Sequence, residues 1–161
     1  MLTVVLLTAL VTPGAVSAQS AVVAASATIV TPLVVSGTAP LAFGVVFQGV
    51  TKTIRFNDAT SGRLSLSGFG NSQVALTFTL PTTLSNGVST MPIDNYRVRV
   101  NATNVTAGAT RIVVTSGVPV TRNLVSGSLY VFIGGRVQPA AAQAGGSYSA
   151  PIVLAAAYTG L

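Results

Sequence analysis

The sequence contains no cysteine, histidine or tryptophan, and its only acidic residues are two aspartates, Asp58 and Asp94. Disulfides are therefore absent, and the histidine or cysteine clusters that hold zinc or iron cannot form. A calcium loop is excluded because it needs several carboxylates within a short segment. General acid–base catalysis needs a titratable side chain held near a partner, and both aspartates are isolated in the sequence. We therefore predict that the protein is not an enzyme and that it has no metal or cofactor.

Charged residues are also scarce. Only 6% of residues are charged and 50% are hydrophobic, which excludes a disordered chain. The net charge is +6, but the basic residues are scattered singly except for Arg97 and Arg99, and no aromatic residues alternate with these two. Single-stranded nucleic acids bind to basic grooves that contain aromatic side chains, so we predict solubilising charges and no nucleic-acid binding. A weak attraction for anionic cell-surface polymers remains an alternative.

Residues 1–18 have the composition of a secretory signal peptide. An apolar run over residues 2–11 is followed by Pro13-Gly14 and then by small residues up to Ala18. This run is well short of the roughly 20 residues that a membrane-spanning helix needs. We predict cleavage after Ala18 and a secreted protein that keeps no stable membrane span.

The next segment is small, uncharged and free of glycine and proline. In residues 19–29 every second side chain is apolar, so that these side chains would share one face of an extended strand. Such a segment either adds itself to an exposed sheet edge or forms the first strand of its own domain. We predict a candidate donor strand in residues 19–26, and a β-domain over residues 27–161 whose first strand covers residues 27–35. The predicted donor row is Ala21, Val23, Ala25, Ala27 and Ile29.

Alternation of apolar and polar residues predicts strands through the rest of the chain, and no window has the 3.6-residue period of a helix. Pairs such as Asn86-Gly87 predict tight turns, and residues 139–144, rich in alanine, are the one candidate helical turn. This pattern indicates an all-β, immunoglobulin-like antiparallel β-sandwich. The clearest strand contains Val74, Leu76, Phe78 and Leu80, and others are predicted at Leu41 to Phe47, Ile54 and Phe56, Leu64 and Leu66, Tyr96 to Val100, and residues 111–115 and 127–133.

The last predicted strand, residues 146–158, has one fully apolar face. Pro151 cannot donate a hydrogen bond to a neighbouring strand, so the strand should lie on a sheet edge or at a bulge there. A long, uncharged edge is a template for another chain; alternatively, another element of the same chain covers it. The apolar row consists of Tyr148, Ala150, Ile152, Leu154, Ala156 and Tyr158. We predict that Tyr148, Ala150, Ile152, Leu154 and Tyr158 form an acceptor edge.

Three stretches together resemble a bacterial family of small secreted domains of unknown function: residues 27–44 with Leu41-Ala-Phe-Gly44, residues 76–91, and residues 129–158. That family is similar in turn to archaic chaperone–usher pilins, which share the Leu-x-Phe-Gly element and a C-terminal strand ending in an aromatic residue. The resemblance implies a fold that lacks its final strand and is completed by the N-terminal extension of the next subunit. It implies copies of the same chain as partners, together with a periplasmic chaperone and an outer-membrane usher.

The sequence leaves three functions open. The first is a structural subunit of an extracellular filament or bacterial surface layer, assembled by strand addition between copies. The second is a self-complete secreted β-sandwich that binds a glycan or a host surface through its loops. The third is a binder of anionic polymers through Arg97 and Arg99. The resemblance and the apolar last strand both favour the first.

Overall fold

The computed structural model of the protein describes residues 19–160. This part of the chain is all-β, with ten strands, no helix and only antiparallel pairings. The strands form two sheets in a sandwich-like arrangement, which confirms the predicted immunoglobulin-like fold class. They are β1 (Val34–Ala39), β2 (Lys52–Ile54), β3 (Gly62–Ser67), β4 (Gln73–Thr79), β5 (Thr83–Ser85), β6 (Thr90–Asn101), β7 (Thr110–Ile112), β8 (Pro119–Asn123), β9 (Ser128–Val137) and β10 (Val153–Gly160).

The larger sheet has the strand order β1-β3-β9-β6-β5. β2 pairs with β9 beyond the end of β3, and β7 pairs with β6 beyond the end of β5. A two-residue turn joins β8 to β9, and both of its residues, Ser126 and Gly127, have positive φ, at 49° and 77°. This is the type I′ geometry, whose twist matches that of the flanking chain. The turn carries the chain from the smaller sheet into the larger one.

The smaller sheet has the order β10-β4-β8, and its central strand supplies much of the core. Val74, Leu76 and Phe78 of β4 are each 0% exposed, which confirms the row that the sequence predicts. They belong to one cluster with core residues of the larger sheet, such as Val98 and Val131. A second cluster lies beside it and consists of Phe43, Ile54, Leu84, Met91, Ile93 and Val137.

The strand predicted over residues 41–47 is wrong. Gly44 has a φ of +62°, which takes the backbone out of the extended conformation. Phe43 is buried and Leu41 is half-buried against the core, whereas Val45 and Phe47 are 75% and 71% exposed. The first half of the alternating pattern therefore reflects two side chains, Leu41 and Phe43, that reach the core from an irregular segment.

β8 is a strand that the sequence pattern did not predict. It begins at Pro119, a position where the missing amide hydrogen is tolerated, and Val120 is its only large apolar residue. Because β8 is an edge strand paired with β4 alone, it needs no full apolar row. The alanine-rich residues 139–144 form a hydrogen-bonded turn from Gln143 N to Ala140 O, at 3.1 Å, and no helix.

The first strand begins later than predicted. The sequence pattern placed it over residues 27–35, whereas β1 starts at Val34. Pro32 has no amide hydrogen to donate, and the pairing of β1 with β3 begins only at Val34, opposite Ser67. Residues 19–33, called the extension below, therefore lie outside any strand.

Gly134 on β9 marks the place where the backbone of residues 54–56 crosses the outer face of the larger sheet. A Cβ atom at Gly134 would lie 2.5 Å from the carbonyl oxygen of Ile54 and 2.8 Å from the amide nitrogen of Phe56. Since these are backbone atoms, we expect Gly134→Ala to lower the free energy of unfolding in urea by about 1–3 kcal/mol. The control is Gly37→Ala on β1, where a Cβ meets nothing within 4 Å. Equal stability of the two variants would contradict the close crossing.

Candidate functional site

One side of the sandwich is bounded by one end strand of each sheet. β1 ends the larger sheet and β10 ends the smaller one. Within residues 19–160, no strand pairs with the second edge of either. An unpaired edge presents a row of free N–H and C=O groups. The opening between β1 with residues 40–46 on one side and residues 148–158 on the other is called the groove.

The wall formed by residues 148–158 shows the predicted alternation. It is interrupted at Pro151: Ser149 forms an isolated bridge with Ser85 of β5, and β10 begins at Val153 and pairs with β4. The wall thus passes from one sheet to the other at the residue that lacks an amide hydrogen. The residues between the apolar ones are exposed, whereas Tyr148, Ala150, Ile152, Leu154, Ala156 and Tyr158 are buried or half-buried.

The floor of the groove is an uncovered part of the core. Two adjoining depressions of about 680 Å³ and about 380 Å³ share Pro40, Ala150 and Ile152 in their linings. The larger one reaches the second core cluster at Leu84 and Met91. Among the described residues, none that lines the larger depression is charged. Arg63 lines the smaller one. The larger depression therefore suits an apolar occupant.

Hydrogen bonds close the groove at its Tyr148 end. Gln143 Nε2 donates to the Tyr148 hydroxyl at 2.8 Å and to the Thr90 carbonyl at 3.2 Å. The Tyr148 hydroxyl donates to the Ala144 carbonyl at 2.7 Å, and Gln48 Nε2 donates to the Gln143 carbonyl at 2.6 Å. These bonds attach residues 143–148 to β6 and hold this end of the wall in place.

Residues 19–29 of the extension are exposed and line neither depression of the groove. Val22, Val23 and Ile29 are 93%, 90% and 93% exposed, and no residue of the extension belongs to a strand. The structure thus places a predicted donor row and a predicted acceptor edge in one chain without bringing them together. All five residues of the donor row are exposed: Ala21, Val23, Ala25, Ala27 and Ile29.

Tyr158 fixes the point from which the extension leaves. Its hydroxyl accepts a hydrogen bond from Phe69 N at 2.6 Å and donates one to the Thr31 carbonyl at 2.8 Å. Thr31, near the C-terminal end of the extension, therefore lies at the Tyr158 end of the groove, opposite the end closed by Tyr148. The sequence pattern placed Tyr158 in the wall but gave no sign of this second contact, because its partners are remote in the chain.

Tyr96 packs against both core clusters beside the groove, and its hydroxyl donates to the Pro81 carbonyl at 2.7 Å. Burial, and next the carboxylate of Asp94, raise the pKa of Tyr96 from 10.0 to about 12. Because the pKa of Tyr96 is higher in the folded state than in the unfolded state, the neutral side chain stabilises the fold below pH 10. This stabilisation is lost as the pH rises through the pKa of the folded state. We expect the melting temperature to fall between pH 10 and pH 12 in the unmodified protein and to fall less in Tyr96→Phe. The same alkaline loss in both would contradict the role of Tyr96.

The chain matches no protein-family model, and a search of the curated proteins finds no relative. Within residues 19–160 there is no helix long and apolar enough to cross a membrane.

Proposed function

We propose that the protein is a structural subunit of an extracellular filament or surface layer, in which the extension of one copy fills the groove of the next. One observation carries the proposal: the same chain has an uncovered apolar groove with free strand edges and an exposed apolar segment without secondary structure. Each feature supplies what the other lacks. An added strand would pair with the free edges and cover the floor.

Burial of the donor row supplies the driving force. Val23 and Ile29 are almost fully exposed in the extension, and burying each of them contributes roughly 1.5–3 kcal/mol. Residues 19–29 contain no charged residue, and no charged residue lines the larger depression, so that a strand added there buries no charge. Arg63 lines the smaller depression.

Strand direction favours a second copy as the source of the donor. Every pairing in residues 19–160 is antiparallel, and an antiparallel donor would place its Ile29 at the Ile152 end of the groove. That end lies roughly 20 Å from the Tyr158 end, whereas the two residues from Ile29 to Thr31 span at most about 7 Å. Because Thr31 is held at Tyr158, the extension of the same chain cannot enter antiparallel to β10. A neighbouring copy has no such restraint.

Assembly of this kind is head to tail and does not close on itself, so it propagates into a fibre. A subunit with an empty groove exposes free strand edges that would pair unselectively. In our proposal a periplasmic chaperone covers the groove before assembly, and an outer-membrane usher delivers the subunits to the bacterial cell surface.

The test separates the two halves of the contact. The acceptor is the chain without residues 1–29, which keeps Thr31 and its bond to Tyr158; the donor is a labelled peptide of residues 19–29. We expect saturable binding by fluorescence anisotropy and a higher melting temperature of the complex. A peptide with Ala25→Asp should not bind, whereas the matched peptide with Ser26→Asp, on the other face, should bind. Failure of the unmodified peptide would overturn strand addition and favour a self-complete module that binds glycans.

A further inference from the structure

The outer face of the larger sheet carries a row of arginines that the sheet register brings together. Arg63 on β3 and Arg99 on β6 both lie directly opposite Phe132 on β9. Arg111 on β7 lies opposite Arg99. With neighbouring strands about 4.8 Å apart, Arg63 and Arg111 are roughly 14 Å apart across four strands. Arg97 lies two residues from Arg99 on the same face. These four arginines are called the basic row.

Aromatic rings hold two of these side chains in place. The Arg99 guanidinium lies 4.4 Å from the centre of the Phe56 ring, and its Nη1 donates to the Ala109 carbonyl at 2.8 Å. The Arg63 guanidinium lies 5.8 Å from the centre of the Phe132 ring. Phe132 is 1% exposed although it points away from the core. Cation–π contacts of this kind position the charges and cover the ring.

No carboxylate balances the basic row. The protein has two acidic residues, and each is engaged elsewhere. Asp94 forms a bidentate ion pair with Arg136, at 2.8 and 2.7 Å, which with a bond from Gln138 holds the pKa of its carboxyl below the usual value. Asp58 Oδ2 accepts a hydrogen bond from the backbone amide of Arg55 at 2.7 Å. Like charges directly opposite each other, as at Arg99 and Arg111, destabilise a sheet. A local loss of stability of this kind is typical of a functional surface.

We propose that the basic row is a binding surface for a linear anionic polysaccharide, whose carboxylate or sulfate groups would meet the arginines in turn. Charge complementarity supports an anionic partner, because guanidinium groups pair with such oxyanions in a bidentate manner. A single-stranded nucleic acid is less suited, since Phe132 is buried and the Phe56 ring is covered by Arg99, so that neither ring is free to stack on bases. Arg63 also lines the smaller depression of the groove, whereas Arg97, Arg99 and Arg111 line neither depression. Because the variants tested below leave Arg63 unchanged, the inference does not depend on strand addition.

The test compares two variants with the same net charge. Arg97→Gln with Arg111→Gln removes two charges of the row, whose side chains are exposed. Lys52→Gln with Arg122→Gln removes two charges that lie outside it, Lys52 toward Val45 and Arg122 on the smaller sheet. The probes are dextran sulfate, polygalacturonate and an oligodeoxythymidylate, and binding is measured by titration calorimetry between 50 and 200 mM salt, with melting temperature as the control for folding.

We expect the full chain to bind at least one of the polysaccharides, with an affinity that falls as salt rises. In the Arg97/Arg111 variant the affinity at 50 mM salt should fall about ten-fold and the salt slope should decrease by about 1 to 2, whereas the Lys52/Arg122 variant should lose at most about three-fold. Equal losses in the two variants would overturn the proposal, since they would show that net charge alone matters. Absence of polysaccharide binding, or tighter binding of the oligonucleotide, would overturn it as well.

Discussion

Aspartate at position 25 or 27 is expected to abolish filament formation while leaving the folded subunit unchanged. Ala25 and Ala27 belong to the donor row and are exposed in the free subunit, so that neither substitution affects its core. In the filament each would bury a carboxylate in the groove, whose larger depression has no charged lining residue. A burial penalty of about 4 kcal/mol corresponds to an affinity roughly 1,000-fold lower. Electron microscopy and sedimentation, at concentrations where the unmodified protein assembles, measure the effect.

The control variants carry the same charge on the opposite face of the same segment. Ala24→Asp and Ser26→Asp change the alternate positions, which an added strand would turn toward solvent. We expect both to assemble. Normal filaments from Ala25→Asp or Ala27→Asp would rule out the donor row, and an equal loss in Ala24→Asp would show that the charge of the extension, and not its buried face, decides assembly.

The acceptor side should be equally sensitive. Ile152 lines both depressions of the groove and is half-buried, whereas its neighbour Val153 is 49% exposed on the other face. We expect Ile152→Asp to abolish both filament formation and binding of the residue 19–29 peptide, because it sets a charge against the incoming row. Val153→Asp should retain both. Melting temperatures of the two variants show whether Ile152→Asp remains folded, and peptide binding by a folded Ile152→Asp variant would contradict the assigned wall.

Mixing the two defective variants gives a sharper result than either alone. Ala25→Asp keeps an intact groove, and Ile152→Asp keeps an intact extension. If the contact is head to tail, the mixture should form heterodimers that grow no further, because each dimer then offers only a defective extension and a defective groove. Size-exclusion chromatography with light scattering distinguishes these dimers from monomers. A mixture that stays monomeric, or that restores filaments, would contradict this geometry.

Much of the fold follows from the sequence because side-chain alternation is a local signal. The buried row of β4 and the alternating face of residues 148–158 both come from period-two patterns, and the break at Pro151 follows from its missing amide hydrogen. Residues 41–47 have the same pattern but no strand, since Gly44 adopts a positive φ there. The alternation of apolar and polar residues therefore does not by itself determine the backbone conformation.

The parts of the site that could not be predicted depend on register or on remote contacts. The basic row exists only because four strands align Arg63, Phe132, Arg99 and Arg111, and the sequence pattern showed only that Arg97 and Arg99 share a face. The hydrogen bond between Tyr158 and Thr31 joins residues that are 127 positions apart in the chain. The start of β1 at Val34 depends on where its partner strand begins.

Negative-stain electron microscopy of the chain that starts at Gln19, concentrated in physiological salt, tests strand addition most directly when it is paired with the same chain lacking residues 19–29. The account predicts regular thin fibres from the first sample and monodisperse monomers from the second. Monomers in both samples would mean that the fold completes itself and that the groove serves another ligand. Fibres in both would mean that the extension is not the donor.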